Sequence, residues 1–371
     1  MLFTRHARLA GLALISALAL AACGSDSNSS GGSSSSSAGG GAAAISCASG
    51  TLNASGSTAQ ANAMSEWVKD YQTACSGATI NYNGVGSGQG VTDFINAQTS
   101  FAGSDSPLSP DKGEPAKADA RCKTGKAVDL PMVGGPIAVV YNLSGVTGLT
   151  MTPQVLAQIF SGKVTKWNDP AIAAINSGVT LPSSQITTVH RSDSSGTTDN
   201  FTKYLATAAP ADWTYGHDKV WKAPGGQGAA KSDGVSAAVK STPGTIAYVE
   251  WSFATQNQLG ISRIDNGGGP VDLTADAVSK AIATATVTGT GDDLSLQLDY
   301  ATKTAGVYPI ALVTYEITCV QGLASDQAAL VKSFLTYTAS TAGQAKLTSL
   351  GYAPLPTEIQ QKVQAVVAKI S

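Results

Sequence analysis

The chain has 371 residues, of which 43% are hydrophobic and only 13% are charged. This length suits two domains or one domain with two lobes, and the apolar content excludes an intrinsically disordered chain. The formal net charge of −2 argues against nucleic-acid binding, and the three histidines are too few for a His-rich metal site, so we expect no metal or other cofactor.

The N-terminus is predicted to be a targeting segment. Residues 1–22 begin with a short basic region and continue with an apolar stretch, which is the pattern of a secretory signal peptide. The stretch ends in Leu20-Ala21-Ala22-Cys23-Gly24, which resembles a bacterial lipobox. We therefore predict cleavage after residue 22 and lipidation at Cys23. The alternative is an ordinary secretory signal followed by a chance cysteine.

Residues 23–45 are predicted to be a flexible tether. They consist almost wholly of Ser, Gly and Ala, which cannot bury enough surface to fold. The rest of the chain has no apolar stretch long enough to span a bilayer. We therefore expect an exported protein that touches the membrane only through its lipid, either in a periplasm or on the outer face of the cytoplasmic membrane.

Cysteine usage agrees with export. Besides Cys23, the chain contains Cys47, Cys75, Cys122 and Cys319. An even number in an oxidising compartment indicates two disulfides, and the spacings do not match a zinc site. Among the three possible connectivities we favour Cys47–Cys75 with Cys122–Cys319, because Cys47 enters a strand whose following helix runs back to Cys75. Free buried thiols are the alternative.

The folded part alternates short β-branched runs with helical patterns. In the first half, the predicted strands are 51–54, 79–82, 128–133 and 137–141, and the predicted helices are 60–74 and 91–97. Gly134 and Gly135 separate the last two of these strands. The segment 101–104 leads into a loop that contains Asp105.

The second half continues in the same style. The predicted strands are 186–189, 246–249 and 310–319, and a Gly-rich loop is expected over 225–228. The predicted helices are 153–160, 167–175, 199–207, 235–240, 275–285, 326–339 and 359–370. This alternation indicates an α/β protein with mostly parallel sheets.

Three segments share one design, in which a strand is followed by a tight turn of glycine and hydroxyl residues and then by a helix. The turns are Gly56-Ser57-Thr58, Gly86-Ser87-Gly88 and Ser194-Ser195-Gly196-Thr197. A helix start offers unpaired backbone N–H groups and the positive end of the helix dipole, and glycine allows an anion to approach the backbone. Each turn alone is explained by helix capping. Three of them converging would form an oxyanion site.

Charged residues near these turns support an anion site. Arg191 supplies a forked, permanently charged donor suited to a tetrahedral oxyanion, and Asp193 is placed to hold that fork or to cap the helix. Asp105 is the exception, because a carboxylate repels an anion unless the anion carries a proton that it can donate. The alternative role for Asp105 is to bond its own loop backbone.

At these residues the sequence resembles the PstS family, the phosphate-binding proteins of phosphate ABC transporters. The resemblance covers roughly residues 52–370. The segments that carry it are Ala54-Ser55-Gly56-Ser57-Thr58, Gly84-Val85-Gly86-Ser87-Gly88-Gln89-Gly90, Phe101-Ala102-Gly103-Ser104-Asp105-Ser106-Pro107-Leu108, Lys166-Trp167-Asn168-Asp169-Pro170 and Arg191-Ser192-Asp193-Ser194-Ser195-Gly196-Thr197.

The resemblance implies an α/β, two-lobed type II periplasmic-binding-protein fold with the ligand cleft between its lobes. We expect residues 46–133 and 301–371 to form one lobe and residues 134–300 the other. Carried over residue by residue, the phosphate ligands are Thr58, the backbone of Ala59, Ser87, Asp105, Arg191, Ser195, Gly196 and Thr197.

One position departs from the family pattern. A bulky apolar residue often follows the first Thr of the family, whereas this chain has Ala59. A backbone N–H donor survives that change, but an aromatic wall does not.

The resemblance implies a monomer that captures inorganic phosphate and delivers it to the membrane permease of a phosphate ABC transporter. One alternative is a binding protein for another tetrahedral oxyanion, against which Asp105 argues. Another is a phosphatase-like serine enzyme, but neither Ser87 nor Ser195 lies in a G-x-S-x-G motif, and no Walker A loop is present. A structural surface lipoprotein is disfavoured by the three helix starts.

Overall fold

A computed structural model describes residues 45–371 of the protein. The predicted signal peptide, the lipidation site Cys23 and all but the last residue of the predicted tether lie outside the described residues. The described residues belong to one compact unit. None of the helices within it is both long enough and apolar enough to cross a membrane.

The strands alternate with helices along residues 45–371. They are β1 (Gly50–Gly56), β2 (Ala78–Gly84), β3 (Phe101–Ser104), β4 (Ala127–Tyr141), β5 (Thr150–Met151), β6 (Thr187–Arg191), β7 (Gln227–Ala229), β8 (Thr245–Glu250), β9 (Gly260–Ile261), β10 (Arg263–Ile264), β11 (Thr286–Val287), β12 (Leu296–Gln297) and β13 (Ala311–Cys319).

The helices pack against these strands. They are α1 (Ala61–Ala74), α2 (Ser87–Ile95), α3 (Glu114–Cys122), α4 (Pro153–Phe160), α5 (Pro170–Ala174), α6 (Gly196–Ala208), α7 (Lys231–Ser241), α8 (Trp251–Gln256), α9 (Ala275–Ala283), α10 (Ser325–Thr338), α11 (Thr341–Ala345) and α12 (Thr357–Val367). The sequence patterns did not predict α3, α8 or α11. These are short helices, and α3 has few apolar residues with which to mark a buried face.

The main sheet has the strand order β2–β1–β3–β13–β4–β8–β6–β7, with β9 beside β4. We call β2, β1, β3 and β13 the first half-sheet, and β8, β6 and β7 the second half-sheet. Strand β4 joins them, since it pairs with β13 along Ala127–Pro136 and with β8 along Ile137–Tyr141. One strand therefore runs through both halves of the molecule.

The expectation of mostly parallel sheets is wrong for the centre of the sheet. The outer pairs β1–β2, β1–β3, β6–β7 and β6–β8 are parallel. The central pairs β3–β13, β13–β4 and β4–β8 are antiparallel. The central strands are long and buried on both faces, so their sequences read as continuous apolar runs in either direction.

The predicted break at Gly134 and Gly135 is also wrong, because both lie inside the continuous strand β4. A Cβ on Gly134 would stand 2.3 Å from Cδ1 of Ile282, and one on Gly135 would stand 2.4 Å from Cδ1 of Leu312. The two glycines leave room for neighbouring side chains and do not form a turn. Likewise, part of the expected loop over 225–228 forms strand β7.

Both predicted disulfides are present. Cys47 pairs with Cys75 and Cys122 pairs with Cys319, each with a Cα–Cα distance of 5.4 Å. The first bond ties the segment before β1 to the end of α1, and the second ties the end of α3 to the end of β13. The connectivity favoured from the sequence is confirmed.

Candidate functional site

The ends of three parallel strands form the first part of the site. In the register of β1, Gly56 lies beside Gly84 of β2 on one side and beside Gly103 of β3 on the other. Parallel strands that end together send their following loops to the same edge of a sheet. The turn before α1, the start of α2 and Asp105 therefore meet at this edge.

Glycines permit the close packing at this edge. Gly56 has φ +146°, and a Cβ there would stand 2.0 Å from the carbonyl oxygen of Gly103. A Cβ on Gly90 of α2 would stand 2.4 Å from Cα of Gly56. The first turn of α2 therefore rests on the end of β1, and larger residues would push the N-terminus of α2 away from the site.

The second part of the site follows β6. This strand ends at Arg191, and α6 begins at Gly196 with Ser195 as its N-cap, whose hydroxyl accepts a hydrogen bond from the Thr198 N–H at 3.3 Å. Helices α2 and α6 begin earlier than the sequence patterns predicted. Their first turns are rich in glycine and hydroxyl residues, which have low helix propensity, and only α6 has a side-chain cap, from Ser195.

The two parts are in direct contact. A Cβ on Gly196 would stand 2.6 Å from Cβ of Asp105 and 2.7 Å from Oγ of Ser87. The N–H of Gly88 donates to the carbonyl of Ser194 at 3.0 Å. The N-terminus of α6 therefore packs on Asp105 and on the start of α2.

Asp105 lies at the centre of these contacts and is only 2% exposed. Its Oδ1 accepts a hydrogen bond from the Thr314 hydroxyl at 2.9 Å. Its Oδ2 accepts from the hydroxyls of Ser87 and Thr197, each at 3.3 Å. Donors from both parts of the site thus converge on one carboxyl group.

Burial raises the pKa of Asp105, because a charge is poorly solvated in the protein interior. The hydroxyls of Ser57, Thr314 and Thr197 and the charge of Arg191 act in the opposite direction and offset part of the rise in pKa. The carboxylate is consequently a better proton acceptor than a free aspartate, while it remains held in one orientation.

Arg191 is 3% exposed and forms a two-pronged ion pair with Asp193. Its Nε donates to Oδ1 of Asp193 at 2.8 Å, and its Nη2 donates to Oδ2. Burial opposes ionisation of Asp193, but the hydrogen bonds and charge of Arg191 outweigh that effect and lower the pKa of Asp193. The predicted contact between the two residues is present, and it fixes the plane of the guanidinium group.

Thr58 and Ala59 lie just before α1, and Thr58 contacts α7. Oγ1 of Thr58 shares a 3.0 Å hydrogen bond with the hydroxyl of Ser232 and accepts a 3.3 Å bond from the Ser232 N–H. The N–H of Ala59, which was predicted to point at an anion, donates to the hydroxyl of Ser57 at 3.0 Å. Ser87, Gly196 and Thr197 therefore contact Asp105, and Thr58 contacts Ser232 of α7. Arg191 is held by Asp193 and Ser195 caps α6, whereas the Ala59 N–H is bonded within its own turn.

The sequence reasoning missed several polar residues of the site. Ser232, Thr314, Asn200 and Tyr248 each contact a predicted residue or its backbone. Asn200 donates to the carbonyls of Asp105 and Gly196, at 2.7 and 2.8 Å. A local signal existed only for Asn200, which follows the Ser194–Thr197 turn on the same helix.

The described histidines make contacts away from the predicted serines. The His190 ring stacks on Trp221 with centroids 4.9 Å apart, and Nδ1 of His217 lies 2.7 Å from Oδ1 of Asp199. Within residues 45–371, no group of three or more His, Cys, Asp or Glu side chains is arranged to hold a metal ion.

Comparison with known proteins gives consistent results. A family model described as the PBP superfamily domain matches residues 41–342. The chain is 46% identical over 376 residues to phosphate-binding protein PstS 3 of Mycobacterium tuberculosis, covering 100% of both chains. It is 43% identical to phosphate-binding protein PstS 2 of the same species, again with 100% of both chains covered.

A solved structure shares the fold. The high affinity periplasmic phosphate-binding protein PfluDING, bound with phosphate at pH 8.5, is similar with a TM-score of 0.70 and 27% identity, over 85% of this chain and 93% of that one. The chain therefore belongs to the PstS family of phosphate-binding proteins within the PBP superfamily, and it has the type II periplasmic-binding fold that its motifs predict.

Proposed function

We propose that this PstS-family protein captures inorganic phosphate between its two half-sheets and delivers it to the permease of a phosphate ABC transporter. The proposed ligands are those carried over from the family motifs: Thr58, Ala59, Ser87, Asp105, Arg191, Ser195, Gly196 and Thr197. Asp193 orients Arg191, as its two hydrogen bonds to the guanidinium group support.

The observation that carries this proposal is a buried carboxyl group among donors. The helix starts, the hydroxyls and Arg191 attract any tetrahedral oxyanion. Asp105 accepts hydrogen bonds from Ser87, Thr197 and Thr314, so a bound anion that replaced one of these donors must itself carry a proton. Phosphate keeps a proton at neutral pH and sulfate does not, which makes Asp105 the group that discriminates between them.

The protein is proposed to bind phosphate without chemical turnover. A serine phosphatase needs a base that activates its nucleophile. Here the Ser195 hydroxyl caps α6, and the imidazoles of His190 and His217 contact Trp221 and Asp199. Incubation with a chromogenic phosphate ester should release no product, and steady turnover would favour the phosphatase-like alternative.

Binding is proposed to close two lobes over the anion. The lobes are residues 46–133 with 301–371, and residues 134–300, with crossings near Val133 and Tyr300. Strand β4, which runs through both half-sheets, supports the first crossing. Because an anion bridging both donor sets stabilises the closed form, phosphate should reduce the radius of gyration measured by X-ray scattering. Equal compactness with and without phosphate would contradict closure.

The protein is also proposed to be a monomer, exported by the signal peptide of residues 1–22 and anchored through lipid on Cys23. The two disulfides are typical of an extracytoplasmic compartment and support export. Mass spectrometry of the mature N-terminus tests the anchor, since a diacylated Cys23 is expected and a Cys23→Ser chain should be released from membranes.

The experiment that tests the function is a ligand-induced shift in melting temperature. Phosphate at about 100 times its Kd stabilises the native state by about 2.7 kcal/mol, and arsenate, which is also protonated, should act similarly. Sulfate and molybdate at the same concentration should shift the melting temperature far less. An equal shift with sulfate would favour the other-oxyanion alternative, and no shift with phosphate would overturn the proposal.

A further inference from the structure

A second buried acid lies beneath the anion site. Glu316 of β13 is 0% exposed, and neither of its carboxyl oxygens has a hydrogen-bond partner among residues 45–371. Oε1 of Gln60 is also buried without a partner in the same part of the chain. Buried acceptors without donors are rare in native proteins and call for a physical explanation.

Sheet register places Glu316 and Gln60 on one face of the sheet. Glu316 lies directly opposite Gly103 of β3, and residues in that relation project to the same face. A Cβ on Gly103 would stand 2.1 Å from Nε2 of Gln60 and 2.4 Å from Oη of Tyr82. The Gln60 amide and the Tyr82 hydroxyl therefore occupy the space above Gly103, beside Glu316.

Hydrogen bonds connect Gln60 to the first turn of the anion site. Nε2 of Gln60 donates to Oη of Tyr82 at 3.0 Å, and that hydroxyl donates to the carbonyl of Ser57 at 2.8 Å. Because the Tyr82 proton is used on Ser57, the opposite amide orientation would set two acceptors against each other. Gln60 is thus oriented with Oε1 in need of a donor.

The surroundings of Glu316 favour its uncharged form. Burial raises its pKa, the Gln60 amide lowers it in part, and the charge of Asp105 raises it further. Tyr82, from β2, is the other titratable group that faces Glu316; Tyr82 is partly buried, and its own pKa is also raised. An ionised Glu316 would be a buried charge without a partner, whereas a protonated one carries the O–H donor that Oε1 of Gln60 lacks.

We propose that Glu316 is a positioning residue for the anion site. Its carboxyl group stays protonated, and the O–H donates a hydrogen bond to Oε1 of Gln60. Through Gln60 and Tyr82 it fixes the Ser57 carbonyl, and with it the turn that carries Thr58. Gly103 is required because any side chain there would displace the Gln60 amide. The effect on binding rests on the proposed phosphate function, whereas the protonation of Glu316 does not.

The first test is spectroscopic and needs no ligand. The infrared difference spectrum of the parent minus Glu316→Gln should show the carbonyl band of a protonated carboxyl group at neutral pH. Glu358→Gln is the matched control, because Glu358 is an exposed side chain paired with Lys362, and its difference spectrum should show an ionised carboxylate. A carboxylate signal for Glu316 would overturn the proposal, whether or not the protein binds phosphate.

The second test measures phosphate binding by calorimetry. Glu316→Met removes the donor at similar length and should weaken binding by at least about tenfold relative to Glu316→Gln, whose amide can still donate to Oε1. Gln60→Met should weaken phosphate binding about as much as Glu316→Met does. The variant with both substitutions should bind phosphate no more weakly than either single variant, because each of the three breaks the same chain of hydrogen bonds. Additive losses, or a Glu316→Met chain that binds as well as Glu316→Gln, would overturn the positioning role.

A pH series separates positioning from a general loss of stability. As pH rises, the parent should lose phosphate affinity relative to Glu316→Gln, because only the parent can lose the proton at this position. A constant ratio of the two dissociation constants together with a carboxylate infrared signal would refute the proposal. If the parent itself fails to bind phosphate, the proposed function is wrong, and the infrared result alone decides the state of Glu316. If Glu316→Met does not fold, the infrared and pH results still decide it.

Discussion

Arg191 and Asp193, at the end of the second half-sheet, form an ion pair in which the pKa of the acid is lowered. Asp105 and Glu316, in the first half-sheet, are buried acids whose pKa values are raised. Both regions present strand ends and helix starts to one site. They differ in whether the local surroundings favour a charge or a bound proton.

Under the proposed function, this difference gives the two regions separate tasks. The second half-sheet supplies a full positive charge in a fixed plane, which attracts any oxyanion regardless of its protonation. The first half-sheet supplies a hydrogen-bond acceptor, the carboxylate of Asp105, which favours a ligand that carries a proton. The proposal thus separates attraction from discrimination in space, and it predicts that substitutions affect one without the other.

The largest effect is expected for Arg191→Ala. Only dipoles and hydroxyls would remain to hold the anion, and the expected loss of phosphate affinity is about 100-fold or more, a few kcal/mol. Titration calorimetry measures it. Arg263→Ala is the matched control, because the half-buried Arg263 of β10 donates to the carbonyl of Gly148 and contacts no residue proposed to bind phosphate, so this variant should bind phosphate like the parent.

Arg191→Lys sharpens this prediction, since it keeps the charge and loses the fork that Asp193 holds. Its affinity should lie between those of the parent and Arg191→Ala. If Arg191→Ala binds phosphate within about threefold of the parent, a change of under about 1 kcal/mol, the second half-sheet does not supply the attraction.

The second prediction concerns stability against pH. Because the pKa of Glu316 is raised in the native state, that state binds more protons than the unfolded state. The free energy of unfolding should therefore fall as pH rises above 4.5, the ordinary pKa of a glutamate. Glu316→Gln should remove this decline, which is at most about 1.4 kcal/mol per pH unit for one proton. Asp193 behaves oppositely, because its lowered pKa gives stability that is present above 3.8 and is lost in acid.

Urea unfolding at several pH values from about 2 to about 8 tests both signs. Relative to the parent, Glu316→Gln should gain stability as pH rises above 4.5. The stability deficit of Asp193→Asn should be small in acid, grow as pH rises towards 3.8, and stay level at higher pH. If the free energy of unfolding varied with pH in the same way for the parent and both variants, the two regions would not differ in protonation.

A smaller effect is expected at the contact between the regions. Thr58 and Ser232 share a hydrogen bond across the two half-sheets, so Ser232→Ala should favour an open form and weaken phosphate binding by about threefold to tenfold. Ser241→Ala in the same helix is the control, because that exposed hydroxyl only bonds the Ala238 carbonyl. Equal affinities for the two variants would show that this contact does not contribute to binding.

The sequence predicted local features of the site well, because each turn is encoded by adjacent residues. Gly56-Ser57-Thr58 and Ser194-Ser195-Gly196-Thr197 are strand-to-helix turns in the structure, and Asp105 follows a strand. The residues that complete the site are distant in sequence. Thr314 is 209 positions from Asp105, and Ser232 is 174 positions from Thr58. No local pattern indicates such contacts.

Sheet direction and strand length were harder to predict for a different reason. Strand β4 is buried along its whole length, so its apolar run carries no alternation that would indicate its neighbours. Gly134 and Gly135 were interpreted as a break because glycine is common in turns, but their role depends on Ile282 and Leu312, which pack there from other elements. Glycine has different roles in a turn and in a crowded sheet, and only tertiary packing distinguishes them.

The separation of attraction from discrimination is tested most directly by competition calorimetry of phosphate and sulfate on the parent and on Asp105→Asn. The amide keeps the shape of Asp105 but can donate to a fully ionised anion. We predict that Asp105→Asn weakens phosphate binding less than it relaxes the exclusion of sulfate, so that the preference between them shrinks. An unchanged preference for phosphate over sulfate would contradict the role assigned to Asp105 and to the first half-sheet.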